Sequence, residues 1–405
     1  MSKINHKLII KLFLFLAAIV LCGCQPGMFL NEQNASRATA SAQAAMLSLT
    51  PVQIPSLPEI SATPTATHTL PPLDIGPNNY PPDVNPLTGL PVTDPKRLER
   101  RPLAIKVSND PRPIRPQWGL SLADIVYEYY IEWGKTRFAA IYYSNDVHQI
   151  GPIRSARFFD EQIILMYKAI LAFVGADERV LKRFYKSEFS DLLVTEWPNG
   201  CPPICRVDEK MWSHAVTNTK KLSNFITKQG IENKRQILDG MGFTQIPPPH
   251  GQPINKILIR FSPYFYTRWK YDPSLNKYVR YQDKEDDLGQ GESYELLTDR
   301  LTNQPITADN VIIILVRYDE VVNEGNTQVF EMYLWNLGPA YLFRDGQMYN
   351  LHWERMVEES VLTVYNEDNY PFPLKPGNTW FEVLGLSSSI SQPGDGSYRF
   401  EFAIP

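Results

Sequence analysis

Apolar and polar positions fall into four successive patterns along the chain. Residues 12–21 are a continuous apolar run behind Lys3, Lys7 and Lys11. That run is too short for a permanent membrane span and has the charge order of a secretory signal. From Gln25 to Pro82 no period survives, and Ala, Ser, Thr and Pro dominate. Beyond residue 83 short apolar runs alternate with helical periods. Beyond residue 246 the alternation is mainly that of strands.

The middle stretch predicts a buried strand over 103–107, closed by Ser108-Asn109-Asp110. Two β-rich runs follow at 125–132 and 136–143. Only Trp133-Gly134-Lys135 separates them, which predicts an antiparallel hairpin. After a Gly151-Pro152 corner the pattern predicts a helix over 156–167, with Asp160 and Glu161 in its first turn, where acids suit the helix dipole. "AILAFVGAD" reads as a buried strand, and "ERVLKRFYKSEFSDLL" and "NTKKLSNFITKQGI" as amphipathic helices. "MGFTQIPPPHGQP" punctuates the chain and marks a boundary. Past it, "INKILIRFS", a hairpin around Asp272-Pro273-Ser274, "NVIIILVRYDE", a hairpin around Asp345-Gly346, and "LKPGNTWFEVL" all predict strands.

The expected fold class is α+β. It comprises an N-terminal α/β sandwich with a mixed sheet (83–246) and a mainly antiparallel C-terminal β domain (247–405). Residues 1–23 read as a lipoprotein signal peptide and 24–82 as a disordered stalk, because such a composition buries too little to offset its ordering entropy.

The signal ends in Leu21-Cys22-Gly23-Cys24, which resembles the bacterial lipobox. Cleavage before Cys24 places Gly23 at the scissile bond; cleavage before Cys22 would place bulky Leu21 there. Cys24 is therefore the expected lipidation site, carrying palmitate-type acyl chains that anchor the chain on the extracytoplasmic face of the bacterial membrane. Removing residues 1–23 takes away Lys3, Lys7 and Lys11 and no acid, so 40 basic side chains become 37 against 44 acidic ones. A net negative body disfavours nucleic acid as a partner.

With these segments in place the chain resembles the YerB-type lipoprotein family. The resemblance rests on "NPLTGLP", "RPLAIKVSND", "PQWGLSLADIVYEYY", "TRFAAIYYSND", "IGPIRSAR" and "AILAFVGA". Its second part rests on "WKYDPSLNKYVRY", "ADNVIII", "FRDGQMYNLHWER" and "PGNTWFEVL". It implies two domains and a surface lipoprotein, and it carries no assigned activity.

Three constellations are candidates for chemistry. Arg154 and Arg157 flank Ser155 beside the Gly-Pro corner, and the α/β pattern sets them at strand carboxyl ends next to "GADE". One reading is an anion clamp, with Ser155 as helix N-cap and Asn109 nearby. The other is an internal network with Asp124, Glu128 or Asp177. Cys201 and Cys205 in "CPPIC" point to a disulfide outside the cytoplasm. A metal would need more ligands than the nearby His214. Glu128 and Glu132 on one strand resemble a carboxylate pair, although alternate strand residues share a face by default. The aromatics of "YFYTRWKY" and "YNLHWER" fit cross-strand packing or a platform for glycan or peptide. No Gly-rich phosphate loop or H-E-x-x-H motif occurs, so no cofactor and no metal are expected. The leading expectation is a non-catalytic binding or scaffolding module whose partner is an envelope protein or wall polymer. The alternative is an envelope enzyme whose phosphate- or carboxylate-bearing substrate is held by Arg154 and Arg157.

Overall fold

A tight turn organises the first half of the protein. The computed structural model describes residues 70–208, 214–325 and 327–404. In it, β1 (Leu103–Ser108) pairs antiparallel with β3 (Thr136–Tyr142), which pairs antiparallel with β2 (Ile125–Tyr130). The turn between β2 and β3 puts Trp133 at φ 56 and Gly134 at φ 75. Two successive left-handed residues match the right-handed twist of the flanking strands. The corner after β3 leads to α1 (Phe159–Tyr167) and β4 (Ile170–Phe173), then α2 (Glu178–Phe184), β5 (Leu193–Thr195) and α3 (Thr219–Lys228). Strands β1, β4 and β5 run parallel.

The second half supplies β6 (Lys256–Arg260), β7 (Tyr266–Asp272), β8 (Lys277–Asp283) and β9 (Asn310–Glu324). It ends with β10 (Asn336–Arg344), β11 (Gln347–Arg355), β12 (Thr379–Gly385) and β13 (Ser397–Glu401). The β7–β8 hairpin turns where Asp272 Oδ1 accepts from Ser274 N at 2.9 Å. The β10–β11 hairpin turns at Asp345 and Gly346, both with positive φ. Among the described residues the fold is α+β, with few helices and two sheets of more than two strands.

The larger sheet ignores the sequence boundary. β12 runs parallel between β9 and β2, and its register sets Phe381 against Tyr127 and Glu382 against Glu128. Every residue of β12 and of β1 is buried, as expected for strands covered on both faces. One face carries Tyr127 and Tyr129 and packs against α1 and α2. The other carries Val126 and Trp380, and packs against α3 and the smaller sheet built on β6, β7, β8 and β13.

Two sequence expectations are revised. Residues 70–82, assigned to the stalk, lie on the folded body: Asp74 N donates to Phe243 O at 2.8 Å and Gly240 N to Pro77 O at 2.7 Å. The proline-rich composition hid this, because two isolated bridging contacts need no periodic pattern. Residues 1–69, including Cys24, lie outside the described residues. The first helix begins at Phe159 and not at residue 156. Val174 N donates to Arg154 O and Ala156 N to Gly175 O, both at 3.0 Å. These strand-like bonds hold 154–156 extended and delay the helix.

A buried ion group joins the two halves. Arg280, on β8, donates Nη1 to Glu382 Oε1 at 3.0 Å and Nη2 to Glu128 Oε2, and all three side chains are at most 1% exposed. Phe138, Trp269 and Trp380 surround the guanidinium. Trp269 Nε1 donates to Glu382 at 2.8 Å, and Asn109 Nδ2 reaches Glu128 at 3.2 Å. One cation faces two carboxylates, so full ionisation leaves an unbalanced charge away from water. Burial, reinforced by the charge of Glu128, pushes the Glu382 carboxyl up to about 8.

A pH dependence follows. The folded state holds a proton on Glu382 that the unfolded chain releases near the ordinary value of 4.5. Its stabilisation is complete below that pH and is lost as pH rises toward about 8. Urea melts of the wild type and Glu382→Gln from pH 4.5 to 8.5 isolate this group, because other titrations cancel in the difference. The wild type should lose up to ~1.4 kcal/mol per pH unit relative to the variant. Parallel profiles would show that no proton is held there.

Candidate functional site

The carboxyl ends of β1, β2 and β4 meet the Gly151-Pro152 corner. Ile153 bridges Val107 of β1, and Arg154 N donates to Lys106 O at 2.9 Å. This threads the corner between β1 and the segment after β4, so Arg154, Ser155 and Arg157 sit beside Gly175 and Ala176.

Arg157 is held on two sides. Its Nε donates to Glu132 Oε2 at 2.7 Å, and its Nη2 pairs with Glu132 Oε1. Its backbone N donates to Asp160 Oδ2 at 2.7 Å. Arg137 lies 3.7 Å from the same Glu132 carboxylate and donates Nη1 to Ser155 O at 2.8 Å. Below them Lys106, fully buried, contacts Asp160 at 3.3 Å and the ring and hydroxyl of Tyr129. Arg154 is nearly buried, and its guanidinium feels the negative charge of Asp110 and the positive charge of Arg206.

Lys106, Arg137 and Arg157 thus share the carboxylates of Glu132 and Asp160, while Arg154 faces Asp110. Burial, with the charges of Arg137 and Arg157 adding to it against Asp160, pulls Lys106 down to about 7. Burial and the charge of Arg157 pull Arg137 down to about 9. Burial alone would raise the Glu132 carboxyl, but Arg157 and Arg137 outweigh it and hold it low.

The same turn that carries Glu132 carries Trp133 into a neighbouring groove of about 430 Å³. Pro111 and Pro113 line it from the first half, and Tyr264 and Phe265 from the second. Trp133 is 47% exposed and Tyr264 45%. The rim is formed by two ion pairs, Lys135–Asp110 at 2.8 Å and Arg112–Asp286 at 2.6 Å. Arg112 also binds Asp283 and donates Nη2 to Tyr264 O at 2.7 Å, fixing the loop after β1 to the smaller sheet.

The acids proposed to pair with the arginines are engaged elsewhere. Asp124 accepts from Ser144 N at 3.0 Å and from Tyr143 N. Glu128 belongs to the Arg280 group. Asp177 caps α2 through Arg179 N at 2.9 Å and pairs with the Arg179 side chain. Asn109 is buried and donates to Glu128 and Thr136. Ser155 caps no helix, because residues 154–156 are extended and Phe158 precedes α1. Glu128 and Glu132 go to different arginines, since the chain leaves β2 after Tyr130. Glu132 and Asp160 are the acids that sequence reasoning missed; Glu132 is brought to Arg157 across the hairpin turn by tertiary contact, whereas Asp160, three residues on, is a local partner in the first turn of α1.

Cys201 and Cys205 form a disulfide with Cα atoms 4.6 Å apart. The loop it closes follows Trp197, which is 84% exposed. Among the described residues no group of three or more His, Cys, Asp or Glu side chains is placed to hold a metal ion.

These segments coincide with a two-part family. A model described as the N-terminal domain of a protein of unknown function, DUF3048, matches residues 87–232. The model of its C-terminal domain matches residues 257–381. The chain belongs to this family, whose YerB branch the sequence resembles. The relative named "Putative lipoprotein YerB", from Bacillus subtilis (strain 168), is 26% identical over 316 residues, covering 77% of this chain and 89% of the relative. The crystal structure of the YerB protein from Bacillus subtilis superposes with a TM-score of 0.61 at 24% identity, covering 74% of this chain and 96% of that one. The likeness shows the fold.

The Glu132–Arg157 pair is testable by a double-mutant cycle. Arg157→Ala should lower unfolding stability by about 2–3 kcal/mol, because it leaves Glu132 largely buried with only Arg137 near. Combined with Glu132→Gln, the two changes should cost less than their sum by roughly 1–2 kcal/mol. Simple additivity in urea melts would mean that the pair contributes nothing.

Proposed function

We propose that the protein is a lipid-anchored lipoprotein on the extracytoplasmic face of the bacterial membrane, and that its folded body is a binding module of the cell envelope. The observation that carries the anchor is Leu21-Cys22-Gly23-Cys24 behind a short apolar run and three lysines. The lipoprotein in the name of the Bacillus subtilis relative supports it. Among the described residues no helix is long and apolar enough to cross a membrane.

Binding is the reading favoured by the groove. It is open, faced by two aromatic rings, and built where the two halves of the chain meet, a usual place for ligands. The second reading, an enzyme gripping an anionic substrate with Arg154 and Arg157, draws on the gathering of Arg137, Arg154 and Arg157 at one corner. It must contend with Glu132, which already occupies the forked face of Arg157.

The anchor is tested in cells by metabolic labelling with palmitate and by membrane fractionation. Cys24→Ala should abolish the label and release the chain from membranes, whereas Cys22→Ala should leave both unchanged. Label retained in Cys24→Ala would place the acylation elsewhere or remove it from the account.

A further inference from the structure

A cleft lies at the outer edge of the larger sheet. Strand β5 closes that sheet, and among the described residues β4 is its one strand neighbour. Apart from the ladder to β4, its backbone bonds are local: Leu193 N donates to Ser190 O, and Asn199 Nδ2 to Thr195 O at 3.1 Å. A sheet edge of this kind is a template for one more strand. Beside it the cleft opens to about 690 Å³. Leu192, Leu193 and Asn199 line it from the strand side; Phe225, Gln229 and Ile231 line it from the end of α3 and just beyond. Leu192, Phe225 and Ile231 rest on the core beneath and keep part of their surface open, so the floor is apolar. The loop that carries Asn199 is tied down twice. Arg206 donates Nε and Nη2 to the Glu196 carboxylate at 2.6 and 2.7 Å, and the Cys201–Cys205 disulfide closes the turn between them. A strand edge held this way needs little reordering to accept a partner.

The charges of the lining select the occupant. Four charged residues line the cleft, Arg101, Glu188, Asp191 and Glu232, and two of them are already matched. Arg101 donates Nε to Glu232 O at 2.7 Å and Nη1 to Lys168 O at 2.8 Å. The Glu232 carboxylate pairs with Lys234 at 2.7 Å and lies 3.8 Å from Arg101. Glu188 and Asp191 are both exposed, and neither forms an ion pair among the described residues. The lining therefore offers two unmatched carboxylates and no unmatched cation. An acidic chain would be repelled there. A small polyamine would meet the carboxylates but leave the apolar floor and the strand edge unused. An extended chain that alternates lysine or arginine with aliphatic residues answers all three features. Its backbone pairs with the edge, and its period of two sorts apolar side chains from charged ones. β5 is short, so side-chain contacts must add to the backbone bonds.

We propose that the cleft between β5 and α3 docks an extended basic segment of a partner protein as an added strand, with its lysines or arginines beside Glu188 and Asp191. The cleft shares no lining residue with the groove that carries Trp133, so it is a separate site. The proposal does not depend on the anchored lipoprotein reading above.

The full-length chain in detergent micelles is titrated calorimetrically with four probes. They are a capped hexapeptide of alternating lysine and valine, the same peptide N-methylated at every residue, its glutamate–valine counterpart, and spermine. The lysine–valine peptide should bind, and its affinity should fall as salt rises from about 50 to about 300 mM. N-methylation removes the backbone donors and keeps the charge, so it should weaken binding about tenfold or more. The glutamate–valine peptide and spermine should each bind at least about tenfold more weakly than the lysine–valine peptide. Glu188→Gln and Asp191→Asn should each weaken the lysine–valine peptide about threefold, and together about tenfold, without lowering the melting temperature. Glu367→Gln, an exposed acid outside the cleft, should leave affinity unchanged. Equal binding of the N-methylated peptide, or spermine binding as tightly as the peptide, overturns the added strand. Affinity that survives the double Glu188→Gln, Asp191→Asn change, or that falls as far with Glu367→Gln, overturns the cleft as the site. Failure of the lysine–valine peptide to bind overturns the proposal. Loss of the palmitate result in cells would leave these titrations unaffected, so the two readings fail separately.

Discussion

Arg280 between Glu128 and Glu382 constrains everything else in this structure. A guanidinium from the smaller sheet reaches the face of the larger sheet where strands from the two halves lie side by side. Removing one partner of such a group leaves an uncompensated buried charge, worth about 3–5 kcal/mol. A one-residue slip of β12 against β2 would turn Glu382 to the opposite face, where Tyr127 stacks on Phe381 at 4.5 Å between centroids. The ion group therefore selects the register, and the register fixes how the second half sits on the first. The raised Glu382 carboxyl is part of this arrangement, because one cation cannot balance two buried carboxylates.

The groove inherits its shape from that junction. Its walls come from the loop after β1, the β2–β3 turn and the start of β7, which meet only when β12 has joined β2. Arg112 and Ser262 then lock these pieces at short range. The cation cluster lies on the other side of the same turn, against α1. Both features thus stand at strand carboxyl ends, where an open α/β sheet leaves its side chains and loops uncovered. A groove assembled from two halves gains rigidity from the whole sheet and not from a loop alone.

Most of the secondary structure was legible because its signals are local. The Trp133-Gly134-Lys135 and Asp345-Gly346 turns stand at the hairpins they predicted, and the runs at 103–107 and 170–173 are buried strands. The spacing of Cys201 and Cys205 likewise needed only local geometry. The pairing of β12 with β2 carried no such signal. Glu128 and Arg280 are 152 residues apart, and nothing near either one announces the other. Choosing the acids for Arg157 failed for the same reason: Glu132 arrives through a turn whose direction depends on two left-handed residues. Helix α1 started late because strand-like bonds from Val174 and Ala156 claimed a segment whose composition was also compatible with helix. Tyr264 was visible as part of an aromatic run, but alternation could not say which ring faces water.

If the shared sheet and the Arg280 group make one cooperative unit of residues 70–404, calorimetry of the full chain at pH 6 measures it directly. The structure predicts a single heat-absorption peak whose calorimetric and van't Hoff enthalpies agree. Two resolved transitions, or a calorimetric enthalpy near twice the van't Hoff value, would show that the halves unfold separately and would contradict it.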